Sequence, residues 1–405
     1  MEKRERYKIS QFCMVLNGAM FKSNEFINEG VPVLKTSNIK NNRILFNELS
    51  YVSDLTAKKR KKSIIMNGDI LFPLTGNIVG DNPDRRVGRV AIFKEDGEYI
   101  LNQRLCIIRP DRAVADSEFL AYYLSSAETY MYFMNRAKIT GKQASIALNQ
   151  IQDYTISLPD ITTQRRISQT LRALDLKIVL CDERMAALER EMQTYYDELF
   201  VRKANSSWKA GTLSDIGKIV SGGTPSKKKA EYFSNKGISW ITPKDLSNYK
   251  LKFISHGKTD ISELGYKHCS ATKMPKGTVL FSSRAPIGYM AIATKELTTN
   301  QGFRSIIPNK NIGTAFTYYL LKSLLPNIES RAVSTCFQEI SGTVMKQIPV
   351  IIPDNNTLQK FSEFCNPKFN QQLDIQKEKI KLEQLKHDLI SKIISDETYD
   401  LELLA

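Results

Sequence analysis

Between Ile167 and Leu199 the apolar residues Ile167, Leu171, Leu174, Ile178, Cys181, Met185, Leu188, Met192, Tyr195 and Leu199 recur at alternating spacings of four and three. That is the seam of a coiled coil, which buries itself only against a second helix. Thr162 or Thr163 is expected to cap its start. At 1.5 Å per residue, Thr163 to Phe200 predicts a rod about 57 Å long. A second stripe, Leu358, Phe361, Cys365, Leu373, Ile380, Leu382, Leu385, Leu389 and Ile393, runs between Thr357 and Ser395. It is broader and less regular, is interrupted by the polar Gln376 and His387, and contains Pro367, which is expected to kink or divide the helix.

Ahead of each helical stretch the pattern changes to short apolar runs between Gly, Pro and Asn, such as VPVLKTSNI, DILFPLTG and LCIIRP, then ISWITP, TVLFSSRAPIG and FRSIIP. Runs of this length between breakers read as strands. The two halves also resemble each other. Ser10–Ile39 parallels Ser214–Leu246, with Asn17-Gly18 falling on Ser221-Gly222; GDILF from Gly68 matches GTVLF from Gly277. Asn102-Gln103 matches Asn300-Gln301, and SLPDITTQRRIS matches IIPDNNTLQKFS. The chain thus reads as a duplication. The expected fold is α+β: two α/β domains, 1–160 and 204–353, and two long helices, 161–203 and 354–405, paired antiparallel with pseudo-twofold symmetry. A rod holding two similar but diverged domains apart suits a double-stranded DNA target in two unlike halves, since equivalent groove faces recur about every 34 Å.

Composition supports a folded globular protein, with 42% hydrophobic and 25% charged residues. There is no apolar run long enough for a transmembrane helix, and the start, MEKRERYKIS, is polar, so a soluble cytoplasmic protein without a membrane partner is expected. The six cysteines are scattered and the histidines number three, which argues against a metal site. Against 43 acidic residues stand 58 Lys and Arg, a formal charge of +15, a field that attracts nucleic acid unless the bias merely follows the source proteome. IVSGGTPSKKK around Gly222 and Gly223 lacks the spacing of a phosphate-cradling loop. No amino-methyltransferase N-P-P-[YF], nuclease P-D…[DE]-x-K or cofactor-binding glycine loop is present, so no cofactor is expected and catalysis would lie with partners.

The order of these motifs, NGAMFKSNEFINEGVPVLKTSNI and SGGTPSKKKAEYFSNKGISWITPKDL, then GDILF and GTVLFSSRAPIG, NQR and NQG, SLPDITTQRRI and IIPDNNTLQKF, resembles the specificity subunits of type I restriction-modification enzymes across essentially the whole chain. The resemblance implies two target recognition domains reading one bipartite, asymmetric DNA site. It also implies helices that act as spacer and dock two DNA adenine methyltransferase (modification) subunits, with a restriction subunit able to join. The outward-facing Arg165, Arg166, Arg172, Arg184 and Glu191 are then candidates for docking. Arg104 departs from the pattern, standing where the second copy has Gly302. The competing class is a non-catalytic coiled-coil scaffold whose two domains bind proteins.

Within the domains, Lys58, Lys59, Arg60, Lys61 and Lys62 form the densest charge, and Lys227, Lys228 and Lys229 repeat the theme; each run either grips phosphates or forms a solvated loop. Arg85, Arg86 and Arg89 lie where the first copy is longer than the second, suited to base or phosphate contact or to a local ion pair with Asp81 or Asp84. Lys35, Thr36 and Asn38, and Thr242 and Lys244, follow strands and either read base edges or cap turns; the Asn38 amide matches adenine. Asn102, Gln103, Ser283, Arg284, Asn300 and Gln301 complete the candidates.

Overall fold

The computed structural model describes residues 5–40, 42–77, 88–284, 286–334 and 338–395. They fall into two compact units, Met1–Ile178 with Lys381–Ala405, and Val179–Ile380. Each unit is α+β.

In the first unit an antiparallel sheet runs in the order Ala91–Ile92, Ile70–Pro73, Leu105–Pro110, Cys13–Asn17. Ile107 stands opposite both Leu16 and Leu71. Side chains alternate across a strand, so Ile70, Phe72, Cys106 and Ile108 enter a core closed by the helix Ser117–Leu124, while Leu71, Leu105 and Ile107 enter a second core on the other face. That double burial is why ILF and LCII read as continuous apolar runs. Beside this sheet, Val31–Leu34 pairs in parallel with Tyr99–Leu101.

The second unit repeats the plan. Gly217–Ser221, Arg304–Pro308, Val279–Phe281 and Met290–Ala293 stand in the same order, with Phe253–Ile254 added at the edge. Trp240–Ile241 again pairs in parallel with Thr298–Thr299. The glycines shared by the copies have a geometric cause. A Cβ on Gly18 would lie 2.0 Å from the Asn102 carbonyl oxygen, and one on Gly222 2.0 Å from that of Asn300. Gly223, opposite Ala19 in the repeat, is needed only locally, since its Cβ would meet the Ala271 nitrogen at 2.4 Å.

The long helices are Ile161–Tyr196, continued by a π-helical turn Asp197–Arg202, and Asn355–Ile394. The first is capped by Asp160 and not by the threonines: its Oδ1 accepts from the backbone N–H groups of Thr162 (2.9 Å) and Thr163 (3.0 Å). Asp354 does the same for Thr357 at 2.9 Å, so the repeated Pro-Asp is the helix-start signal. Hydrogen bonds from Thr163 and Thr357, respectively, hold these carboxyls below their ordinary range. Both helices contribute to each unit. In the first, Ile167 and Leu171 share a core with Leu389 and Ile393, and Lys386 pairs with Asp175 at 2.5 Å. In the second, Lys379 pairs with Asp182, and Tyr196 packs edge-on to Phe361 with ring centroids 5.9 Å apart. Rising numbers on one helix meet falling numbers on the other, so the segments run antiparallel in each unit.

Pro367 does not divide the second helix: Pro367 and Glu363, whose carbonyl it leaves without its helical donor, are both exposed, so the break falls on the face where solvent can serve that group. Ile380 and Leu385, expected in the buried stripe, are exposed, and Phe369 and Ile375 are buried in their stead. Gln376 explains the irregular seam. Its Oε1 accepts from the Phe253 N–H (3.1 Å) and its Nε2 donates to the Phe253 carbonyl (2.7 Å), so it closes the free edge of the second sheet as a strand would. One residue earlier in that strand's approach, Lys252 reaches Glu189 on the first helix (2.5 Å) and Gln372 on the second (2.8 Å). Glu189 also receives Lys322 (2.8 Å) and the Tyr319 hydroxyl (3.0 Å). Burial presses the Lys252 ammonium down to about 8, and Glu189 opposes that shift.

Candidate nucleic-acid interface

In each unit the same end of the main sheet gathers the loops that carry the exposed polar residues. In the first, the Gln103 N–H donates to the Ala19 carbonyl (2.8 Å) and the Ser63 hydroxyl to the Asn17 carbonyl (2.9 Å). The Asn102-Gln103 turn, the Gly18-Ala19 turn and the lysine-rich segment are therefore neighbours. In the second, the Gly223 N–H donates to the Thr299 carbonyl (2.9 Å), and Thr224 Oγ1 hydrogen-bonds Gln301 Oε1, which joins the glycine turn to the Asn300-Gln301 turn. The chain then runs directly into Lys227, Lys228 and Lys229, all exposed.

The lysine-rich segment is built on Asp54–Lys58, capped by the Ser53 hydroxyl, and the 3-10 turn Lys61–Ser63. Arg60 anchors it. Its guanidinium pairs with Glu25 (2.7 Å), donates to the carbonyls of Met20 (3.0 Å) and Thr56 (3.2 Å), and lies 4.8 Å over the Phe21 ring. Hydrogen bonds from the Lys22 N–H and from Arg60 hold the Glu25 carboxyl below its ordinary range. With Arg60 so engaged, Lys58, Lys59, Lys61 and Lys62 stand exposed around it.

Several expected base readers are occupied elsewhere. Asn38 is 4% exposed; its Oδ1 accepts from the Lys35 N–H (3.0 Å) and its Nδ2 donates to the Leu45 carbonyl (3.1 Å), so its adenine-matching amide holds a turn together. Lys35 donates to the Ser50 hydroxyl (2.7 Å) and sits over the Phe26 ring, while Thr36 is half-buried in the same turn. Thr242 is the N-cap of Pro243–Tyr249, its hydroxyl donating to Asp245 at 2.7 Å, which leaves Lys244 exposed beside it. Ser283 is fully buried. Asn300 Oδ1 accepts from the Gly302 N–H at 2.9 Å, and Lys229 lies 5.1 Å over the Tyr232 ring. Asn102 is half-buried, whereas Gln103 and Gln301 are exposed. Arg89 is half-buried, and Arg85 and Arg86 lie outside the described residues.

Sequence reasoning singled out Arg284 but missed its partners. Arg284 Nε lies 3.0 Å from Glu339, whose other oxygen is 3.3 Å from Arg304. Arg304 in turn donates to the carbonyls of Gln301 (3.1 Å) and Phe303 (2.8 Å). Nothing local in the sequence connects Glu339 to residues 35 and 55 positions earlier; only the pairing of distant strand ends does.

The candidate interface offers exposed lysines, amides and the partly exposed guanidinium of Arg284, the kinds of group that bind phosphates and base edges. Among the described residues no group of His, Cys, Asp or Glu is placed to hold a metal. Burial pushes the Cys13 and Cys365 thiols up to about 12. No helix among the described residues is long and apolar enough to cross a membrane.

Comparison with known proteins bears on the family and the fold. The model of the type I restriction modification DNA specificity domain matches twice, over residues 1–190 and 205–385. The MjaIX specificity subunit of Methanocaldococcus jannaschii is 41% identical over 172 residues, 42% of this chain and 40% of that subunit. The HindI specificity subunit of Haemophilus influenzae is 23% identical over 91% of this chain and 94% of its own. The crystal structure of the type I S subunit from M. genitalium has the same fold, with a TM-score of 0.61 at 17% identity, covering 98% of this chain and 97% of that one. With two matched domains that span most of its length, the chain belongs to the family of type I restriction-modification specificity subunits.

Proposed function

We propose that the chain reads a bipartite, asymmetric DNA target for a type I restriction-modification assembly in the cytoplasm, one half-site per recognition domain. The recognition domains are assigned to residues 1–160 and 204–353, and the spacer helices to 161–203 and 354–405. The chain itself is non-catalytic: two DNA adenine methyltransferase subunits dock on the helices and supply modification, and a restriction subunit supplies cleavage. One observation carries the reading. Matched sheets end in matched loops, yet the exposed side chains there differ between the copies, with Lys58, Lys59, Lys61 and Lys62 in one and Lys227, Lys228 and Arg284 in the other. A shared scaffold with divergent tips suits two unlike half-sites.

The test is methylome sequencing of the source organism. Deleting the gene should abolish one split adenine motif. Exchanging residues 1–150 for those of a related subunit should change one half of that motif and preserve the other. A motif that survives deletion defeats the specificity role; a swap that alters both halves or neither defeats the assignment of one domain to each half-site. Retention of every motif, together with capture of other proteins by the two domains, would favour the scaffold.

A further inference from the structure

Resting on that reading, we propose that Arg284 reads a guanine edge in the half-site of the second recognition domain, with Glu339 and Arg304 as its positioning residues. The positions themselves make the case. Val279 pairs with Ile306 as Ile70 pairs with Ile108, which sets Arg304 at the place of Cys106, and the bridge Arg284–Glu339 falls where Thr75 pairs with Ser145 in the first copy. The shared fold is therefore satisfied by Thr75, Ser145 and Cys106, and the Arg-Glu-Arg group is particular to the second copy.

The group is graded in exposure, as a presented side chain and its support should be. The Arg304 side chain is 14% exposed, Glu339 33% and Arg284 44%. Arg304 is fixed from below by two backbone carbonyls and grips one carboxylate oxygen; the other oxygen meets Arg284 at Nε. That leaves Nη1 and Nη2 of Arg284 without a partner among the described residues. Two terminal nitrogens on a guanidinium held from its Nε side form the fork that donates to guanine O6 and N7. A guanidinium meant only for solvent needs no such support. The group also lies next to the turn of Gln301, whose carbonyl Arg304 holds, and so within the loops that carry Lys227 and Lys228.

The experiment introduces Arg284→Ala, Arg284→Lys and Glu339→Gln into the full chain in its own cells, with its native partners, and reads the methylated motif. One position of the second half-site, guanine in the wild type, should become degenerate in Arg284→Ala, with discrimination falling roughly tenfold or more. Arg284→Lys keeps the charge and can keep the pair with Glu339 but has no fork, so the same position should relax in a folded protein. Glu339→Gln should relax it less. The first half-site and the spacer should not change. An unchanged motif in both Arg284 variants overturns the proposal. So does uniform weakening of all positions, which would mark a phosphate contact. If the wild-type chain specifies no split motif at all, the DNA-reading function itself fails and this assignment falls with it, an outcome distinct from a wild-type motif that both Arg284 variants leave unchanged.

Discussion

Glu189 is held by Lys252, Lys322 and the Tyr319 hydroxyl, and its side chain is only 26% exposed. Burial alone would raise its carboxyl, but the two lysines outweigh it and hold it down to about 2 from an ordinary 4.5. Because the folded value lies below the unfolded one, the stabilisation is present above about pH 4.5 and is lost as pH falls toward 2. Glu189→Gln leaves a buried ammonium short of its counter-charge and should cost about 3 kcal/mol at neutral pH. Urea melts of both proteins at pH 7 and pH 3 check this: the gap should narrow at pH 3. Equal midpoints at pH 7 would show that the network contributes nothing net. At this scale the sequence was a partial guide. It marked Asn38 and Arg60 by chemical type, but an amide that suits adenine also suits a turn, and an arginine inside a lysine run can turn toward a glutamate 35 positions away. Side-chain chemistry is local, whereas its partner is chosen by the fold.

Among the elements, the segment from Asp54 to Ser63 is the clearest candidate for backbone binding, because Arg60 ties it down while four lysines remain exposed. Each phosphate contact removed should lower the salt slope of DNA affinity by about one. Replacing Lys58, Lys59, Lys61 and Lys62 by alanine should therefore flatten that slope by up to about four without changing the methylated motif. Affinity measured across a salt series, with the motif read in parallel, decides it; an unchanged slope would leave the lysines as a solvated surface. Elements proved more legible than residues. The four-three spacing located the first helix because a buried seam constrains every turn of it. The second seam misled because Gln372 and Gln376 face inward to meet Lys252 and Phe253, and a stripe that binds a sheet edge need not be apolar. Pro367 misled for the opposite reason: a helix-breaking residue costs less where solvent takes the unpaired carbonyl.

On the scale of the whole molecule, duplication was the most legible feature, since Gly18 and Gly222, or Asp160 and Asp354, recur for the same steric and capping reasons in both units. What the repeat implies for DNA reading is a matter of length. If the long helices set the spacer between half-sites, adding one heptad to both, after Val179 and after Ile380, keeps the seam in register and extends each by about 10 Å. At about 3.4 Å per base pair that is roughly three base pairs. The methylated motif of this variant should keep both half-sites and gain about three positions between them. A heptad added to the first helix alone should instead lower thermal stability, because the Asp175–Lys386 and Asp182–Lys379 pairs, and the apolar contacts that accompany them, could not all keep their register. Should the doubly extended protein fold normally and still methylate the original spacing, the helices are not the ruler, and the separation of the half-sites must be set by whatever subunits hold the DNA.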